Sequence, residues 1–225
     1  MRRNISPVAL AFLLLLLTWG CIMPARFKRM KNGQDTPFTL FLKGLPTAMA
    51  AVFPLLELLD PAAAPYTRWI LAGLLICLAG DVVLGIHFVT GGGLFLLGHV
   101  CYVAGLLGRQ TLRPEHIILF AGIWGVLIVF LLLYRKHMPN RLMFLAVCLY
   151  AAALSALLAA AVPLPFTQGS HQAYCAAIGA ILFVISDMTL CDNMLHNRPL
   201  RNQYISLGIY YTAQFLLGIS TLAVL

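Results

Sequence analysis

Unbroken apolar runs, such as Ala11–Leu17 and Leu127–Leu133, recur along this chain and constrain its fold more than any other feature. Crossing a bilayer takes about 20 apolar residues as a helix. Only helices and closed barrels satisfy their backbone groups in lipid. A barrel needs apolar and polar residues in alternation, and these runs do not alternate. Eight transmembrane helices are therefore predicted, over residues 7–24, 38–59, 67–86, 93–110, 115–134, 141–163, 171–191 and 204–225. Turn formers and charges separate them: Asp60-Pro61, Gly91–Gly93, Arg113-Pro114, Pro139-Asn140, Pro163–Pro165 and Arg198-Pro199. The links are short, which makes consecutive helices antiparallel neighbours. The expectation is all-α: a polytopic bundle of about eight helices, with residues 1–225 as a single transmembrane domain.

Composition agrees. Charged residues make up 10% of the chain and hydrophobic ones 61%, whereas a soluble domain is about 25% charged. The net charge of +8 would point to nucleic acid in a soluble protein. Here the basic residues sit in short links, as in Arg26, Lys28, Arg29 and Lys31, so they read as orientation signals and headgroup contacts. No nucleic-acid partner is expected. The six cysteines lie in or at the ends of apolar runs with no CxxC pair, as small packing residues rather than a metal or disulfide framework. Arg2 and Arg3 ahead of Val8–Trp19 resemble a signal peptide, but no A-x-A-like site follows. A retained first helix is expected. Links 1, 3, 5 and 7 carry nine Lys and Arg residues against five on the opposite side, which predicts cytoplasmic odd links and both termini outside.

Function in such a chain shows as polar groups at membrane depth, where a charge needs a partner or a cavity. Lys43, Asp81 and Asp187 fall well inside the predicted spans, with His99, Tyr210, Tyr211 and Gln214 as further polar groups; Glu57 lies near a helix end. Lys43 is five residues into helix 2, and Asp81 five before the end of helix 3, about 8 Å down at 1.5 Å per residue. His99 and Tyr210 are each six residues into their helices, and Asp187 is four before the end of its own. Alternating topology brings all five to one leaflet at similar depth. Packing polars, in which the acids simply pair with Lys43, have no reason to align this way. Lys43 with two ionised aspartates would carry −1 in low dielectric. Charge balance therefore predicts one proton shared by the aspartates, the split that general acid plus general base requires.

Other groupings are weaker. Ser186 with Asp187 and His99 suggests a triad, but adjacent helical residues point about 100° apart. Asp81, Asp187 and His99 offer few ligands for a metal. His87, His116, His137, His171 and His196 lie in or beside links and read as solvated, and Gly91–Gly93 reads as a turn. Tyr210 and Gln214, four apart, share a helix face; they either line a cavity or bond a neighbouring helix.

These segments resemble the YhhN family of membrane proteins, which includes lysoplasmalogenases. The resemblance rests on Lys43-Gly44-Leu45-Pro46, on Leu78–Leu84 around Asp81, on Gly98–Tyr102 around His99, on Leu182–Asp187, and on Tyr210–Gln214. Gly44 is a departure, since the family more often has Lys-Pro directly; it bears on the local geometry of helix 2. The resemblance implies hydrolysis of the vinyl ether bond of alkenyl lysophospholipids to fatty aldehyde and glycerophospho-base, with Asp81 and Asp187 as the catalytic pair. It also implies a bacterial plasma membrane or a eukaryotic endomembrane as the location.

The residues suit that chemistry. A vinyl ether is activated by protonating its terminal alkene carbon, which creates an oxocarbenium-like centre for water to attack. Two aspartates sharing a proton supply acid, base and negative charge. Lys43 is expected either to hold one aspartate ionised or to contact phosphate, and His99 to orient an aspartate or a water. Tyr210 and Gln214 support the site. No cofactor is expected; the partners are the lysophospholipid and membrane lipids. The alternatives are a metal-dependent lipid hydrolase and a non-catalytic lipid-binding or transport protein.

Overall fold

Proline and small polar caps set most of the helix starts. Pro7, Pro37, Pro65 and Pro114 each open a helix, where a missing N–H costs nothing. Ser6, Thr36, His87 and Asn140 accept hydrogen bonds from backbone N–H groups of the first turns. In a computed structural model that describes residues 6–30, 35–138, 140–195 and 200–223, these signals yield eight long helices. They are α1 (Pro7–Arg29, with a π-turn over Thr18–Ile22), α2 (Pro37–Glu57), α3 (Pro65–Leu84) and α4 (Phe88–Leu107). The others are α5 (Pro114–Tyr134), α6 (Arg141–Ala161), α7 (His171–Leu195) and α8 (Leu200–Ile219). Arg2, Arg3, Lys31, Pro139, His196, Arg198 and Pro199 lie outside the described residues, as does the side chain of His137.

Seven of these helices are long and apolar enough to cross a membrane. Their outer faces carry bare Phe12, Leu13, Ile118, Val126 and Leu133, which only a lipid solvent tolerates in such number. The chain is built as a multi-pass helical membrane protein. The eighth expected span is the exception. Helix α8 starts at Leu200 rather than 204 and ends at Ile219, and its first turn carries Arg201, Asn202 and Gln203. It packs against α7 and α2, with further contact to α1 and α3. Because protein rather than lipid surrounds it, this helix carries the most polar groups at depth: Ser206, Tyr210, Tyr211 and Gln214 are all buried.

Two further expectations need correction. Gly91–Gly93 is not a turn but the first turns of α4. A side chain at Gly91 would strike the backbone of Leu84, so the glycine lets α3 and α4 close tightly around the short link between them. His116 is not solvated: it is buried, and its Nδ1 accepts from the Arg113 N–H at the start of α5. His87 and His171 are exposed as expected.

Pairs α3–α4, α7–α8 and α2–α3 form the tight centre of the bundle. Helix α5 stands outside it and leans chiefly on α6. In α2, Gly44 admits the side chain of Leu78 from α3, at 2.9 Å from where a β-carbon would sit. The departure at Gly44 is thus a contact that draws Lys43 and Asp81 onto neighbouring walls.

Candidate active site

Asp81 is almost wholly buried. Its Oδ2 accepts two hydrogen bonds, from Thr47 Oγ1 at 2.5 Å and Tyr210 OH at 3.0 Å. Thr47 is one turn beyond Lys43 on α2, so both side chains share a face. Behind Tyr210, Gln214 Nε2 donates to the phenolic oxygen at 2.8 Å, and Tyr102 OH donates to Gln214 Oε1 at 2.7 Å. The chain of donors fixes Tyr210 so that its own hydroxyl hydrogen points at Asp81. Tyr211 OH donates to the Lys43 carbonyl at 2.6 Å. Pro46, inside the same helix, lacks an N–H and loosens the ladder locally. These bonds tie α8 to α2 at the level of the lysine.

Asp187 stands in a second polar cluster. Tyr150 OH donates to its Oδ2 at 2.6 Å. His99 Nε2 faces the same oxygen at 3.8 Å, too long for a direct hydrogen bond. A carbonyl only accepts, so the 2.5 Å contact between His99 Nδ1 and the Phe95 oxygen assigns the proton to Nδ1. Nε2 is buried with no hydrogen-bond partner. Tyr102, Tyr150 and Phe183 hold the imidazole edge-on. Ser186 is not part of a triad: its hydroxyl donates to the Ser206 carbonyl at 3.0 Å, and Ser206 returns the bond. Both are spent on joining α7 to α8.

The two clusters open onto one cavity of about 1090 Å³, lined among others by Lys43, Asp81, Tyr150, Asp187 and Tyr210. His99 and Gln214 are set back behind its wall. Lys43 is mostly buried and lies within Coulombic reach of Asp81 and of the Arg26–Asp35 pair. Its ammonium makes no hydrogen bond or ion pair with the described residues. At the odd-link end the wall is polar, with Arg26, Asp35, Asn193 and Gln203. Against α5 and α6 it is apolar, with Leu127, Phe130, Leu131, Val147, Ala151 and Leu154. The aspartates lie on a cavity that is polar at one end and oily at the other.

The helix ends differ from those expected, and so do the depths. Asp187 stands eight residues before Leu195, about 12 Å along the axis at 1.5 Å per residue. Asp81 is three residues before Leu84, whereas His99 and Tyr210 are eleven and ten residues into α4 and α8. Residues at unequal counts still meet, because the helices begin and end at different levels. Tyr210 reaches Asp81 from the far longer overhang of α8.

Three contributors escaped the sequence reading. Thr47 carries a usable signal, four residues after Lys43. Tyr150 is the one phenol in the apolar stretch of α6, a polar tip with no other reason to be there. The ion pair of Arg26 Nη2 with both Asp35 oxygens, at 2.8 Å each, has no local signature, since the two come from different helix ends. Among the described residues no three His, Cys, Asp or Glu side chains gather as a metal site.

Comparison with known proteins identifies a family. A family model described as the YhhN family covers residues 38–221, which include Lys43, Asp81, His99, Asp187, Tyr210 and Gln214. No curated protein and no solved structure matches the chain.

Proposed function

The chain belongs to the YhhN family, and from that premise we propose that it is a membrane hydrolase of the lysoplasmalogenase type. It would cleave the vinyl ether bond of alkenyl lysophospholipids, with Asp81 and Asp187 as acid and base. The observation that carries this reading is that both carboxyls open onto one cavity, polar at one end and apolar at the other. A single-chain phospholipid has the same polarity order, and its reactive bond lies where head and chain join.

The surroundings of the two acids support different roles. Asp81 accepts two hydroxyl hydrogen bonds and has Lys43 within Coulombic reach, which suits a carboxylate acting as base. Asp187 accepts one, and among the described residues no Lys or Arg pairs with it; the neighbouring His99 carries its proton on the far nitrogen, which suits the proton carrier. In the first step Asp187 gives its proton to the alkene carbon that bears the alkyl chain; the π pair forms the new C–H bond, and the ether carbon becomes an oxocarbenium. Water then adds to that carbon while Asp81 takes its proton. The hemiacetal collapses as Asp187 removes the hydroxyl proton and Asp81 protonates the departing glycerol oxygen. Aldehyde and glycerophospho-base leave, and both acids return to their starting protonation states. General acid–base contributions of this kind are worth about 10² to 10⁴ in rate each.

The test is product analysis on purified protein with an alkenyl lysophospholipid. Wild type is expected to release fatty aldehyde, and Asp81→Asn and Asp187→Asn, folded as judged by thermal melting, to release none above background. Unchanged release by both variants would falsify the catalytic pair. Fatty acid released from acyl analogues would instead move the substrate to an ester.

A further inference from the structure

Arg26, Lys43, Asn193 and Gln203 line the cavity with N–H donors that the proposed acid–base chemistry does not use. Lys43, Arg26 and Asn193 are each more than nine-tenths buried. An ammonium carries three N–H donors, and Lys43 uses none of them on the described residues. Asn193 Nδ2 and Arg26 Nε are likewise buried without a partner. A buried unpaired donor costs about 1–3 kcal/mol, and more when charged. Two such donors beside an ammonium with no hydrogen-bond partner of its own, all lining one cavity, call for acceptors from outside the described residues.

We infer that the Lys43, Arg26 and Asn193 wall is a phosphate subsite that holds the head of a single-chain phospholipid, with its chain running along α5 and α6. The inference rests on the proposed lipid-hydrolase reading and specifies its substrate. Three observations carry it. The free donors match phosphate oxygens, which accept charge-assisted hydrogen bonds. Arg26 is bonded directly to Asp35, whereas Lys43 meets Asp81 only at Coulombic range and keeps its N–H donors for an anion. The opposite arm, lined by Phe130, Leu131, Ala151 and Leu154, is apolar and continuous with the polar end. Leu154 is thirteen residues into α6, about 20 Å along the axis at 1.5 Å per residue, which is ample for one long chain. With phosphate at Lys43 and chain on α6, the glycerol and the bond next to it fall beside Asp81 and Asp187.

The experiment uses ligands without the vinyl ether, so that binding is read apart from chemistry. Full-length protein in nanodiscs is titrated with a saturated 1-O-alkyl glycerophosphocholine, the corresponding 1-O-alkylglycerol, glycerophosphocholine and inorganic phosphate. The phosphate-bearing amphiphile is expected to bind at least about tenfold more tightly than the alkylglycerol, the size of one charge-assisted hydrogen bond. Lys43→Met should bring the two within about twofold, and Lys43→Arg should keep most of the gap. Glycerophosphocholine or inorganic phosphate binding as well as the lipid would overturn the lipid head as occupant. Equal binding of the two amphiphiles to wild type, or a Lys43→Met variant that weakens both alike, would overturn the subsite. If Lys43→Met does not fold, Asn193→Leu provides the same comparison, with a gap narrowed by a few-fold expected and an unchanged gap counting against the subsite. Head-selective binding without aldehyde release would leave the subsite standing and remove the proposed chemistry; aldehyde release without head selectivity would do the reverse.

Discussion

His99 turns Nε2 toward Asp187 Oδ2 and stops 3.8 Å short of it. Its other nitrogen is committed to the Phe95 carbonyl. A buried basic nitrogen facing an acid across a gap is suited to steady the proton on Asp187, directly or through a water, rather than to attack substrate. His99 is therefore a positioning residue. Glutamine places its terminal amide near the Nε2 position, whereas asparagine reaches only the Nδ1 position. His99→Gln is expected to retain at least about tenfold more kcat than His99→Asn, within the range of one proton-transfer assist, with similar KM. A purely structural role would favour asparagine, which keeps the bond to Phe95. Steady-state kinetics beside melting temperatures separates the two.

Tyr210 and Thr47 converge on one oxygen of Asp81. Tyr210→Phe and Thr47→Val should each lower kcat by about ten- to a hundredfold, as expected for losing a hydrogen bond to a charged group. The double variant should lose less than the product of the two, because both bonds act on the same atom. Tyr210→Phe should also destabilise the fold by about 1–2 kcal/mol, since Gln214 Nε2 loses its acceptor. Full multiplicativity of the kinetic losses would mean that the two hydroxyls do not share Asp81 in the working enzyme.

Much of this site can be read from the sequence, because a charge in an apolar run is conspicuous. Lys43, Asp81 and Asp187 stand out on that ground alone, alternating topology predicts a common leaflet for them, and all three line one cavity. Their partners are harder to see. Threonine and tyrosine are ordinary residues in membrane helices, so Thr47 and Tyr150 become visible only once the helices are packed. Helix α8 differs in extent from the predicted span for a related reason. Its hydropathy reflects a protein environment, and a lipid-based reading pushes its boundaries toward the apolar C-terminal residues. His116 and Gly91 depart from expectation because each sits at a helix start, where the local sequence suits a turn and a helix equally well.

Arg26 and Asp35 form a nearly dry ion pair beside the cavity, and Thr39 Oγ1 adds a bond to Asp35 at 3.0 Å. Removing one partner leaves a buried charge alone, at a cost of about 3–5 kcal/mol. Arg26→Met and Asp35→Leu should each lower the melting temperature sharply. The double variant should be more stable than either single one, because no charge is stranded. Additive losses in thermal melts would show that the pair is solvated in the membrane-embedded protein.

A metal-dependent hydrolase makes a different demand on the same residues. Its activity requires an ion held by Asp81, Asp187 or His99, and the side-chain hydrogen bonds that these acids accept here come from hydroxyls. Activity is expected to survive prolonged chelation followed by buffer exchange, with less than about a twofold change. Loss of turnover that is restored by stoichiometric zinc would transfer the site to metal-assisted chemistry, in which bound water is the nucleophile.

The route through carbon protonation leaves a mark in the product. If Asp187 delivers a proton to the alkene carbon that bears the alkyl chain, that carbon becomes the one next to the aldehyde carbonyl, and its new hydrogen comes from solvent by way of the carboxyl. In deuterium oxide, each aldehyde should carry one deuterium there, read as a one-unit mass increase after rapid trapping as an oxime. The glycerophospho-base should carry none on carbon. Direct attack of water on the ether carbon with no prior protonation cannot break the C–O bond of an unactivated vinyl ether at a useful rate, because the electron pair on the alkene has nowhere to go. An aldehyde free of deuterium at early times would therefore remove Asp187 as the donor to carbon. Deuterium present at full occupancy in wild type, with turnover slowed in deuterium oxide, would place the proton transfer from this acid in the slow step.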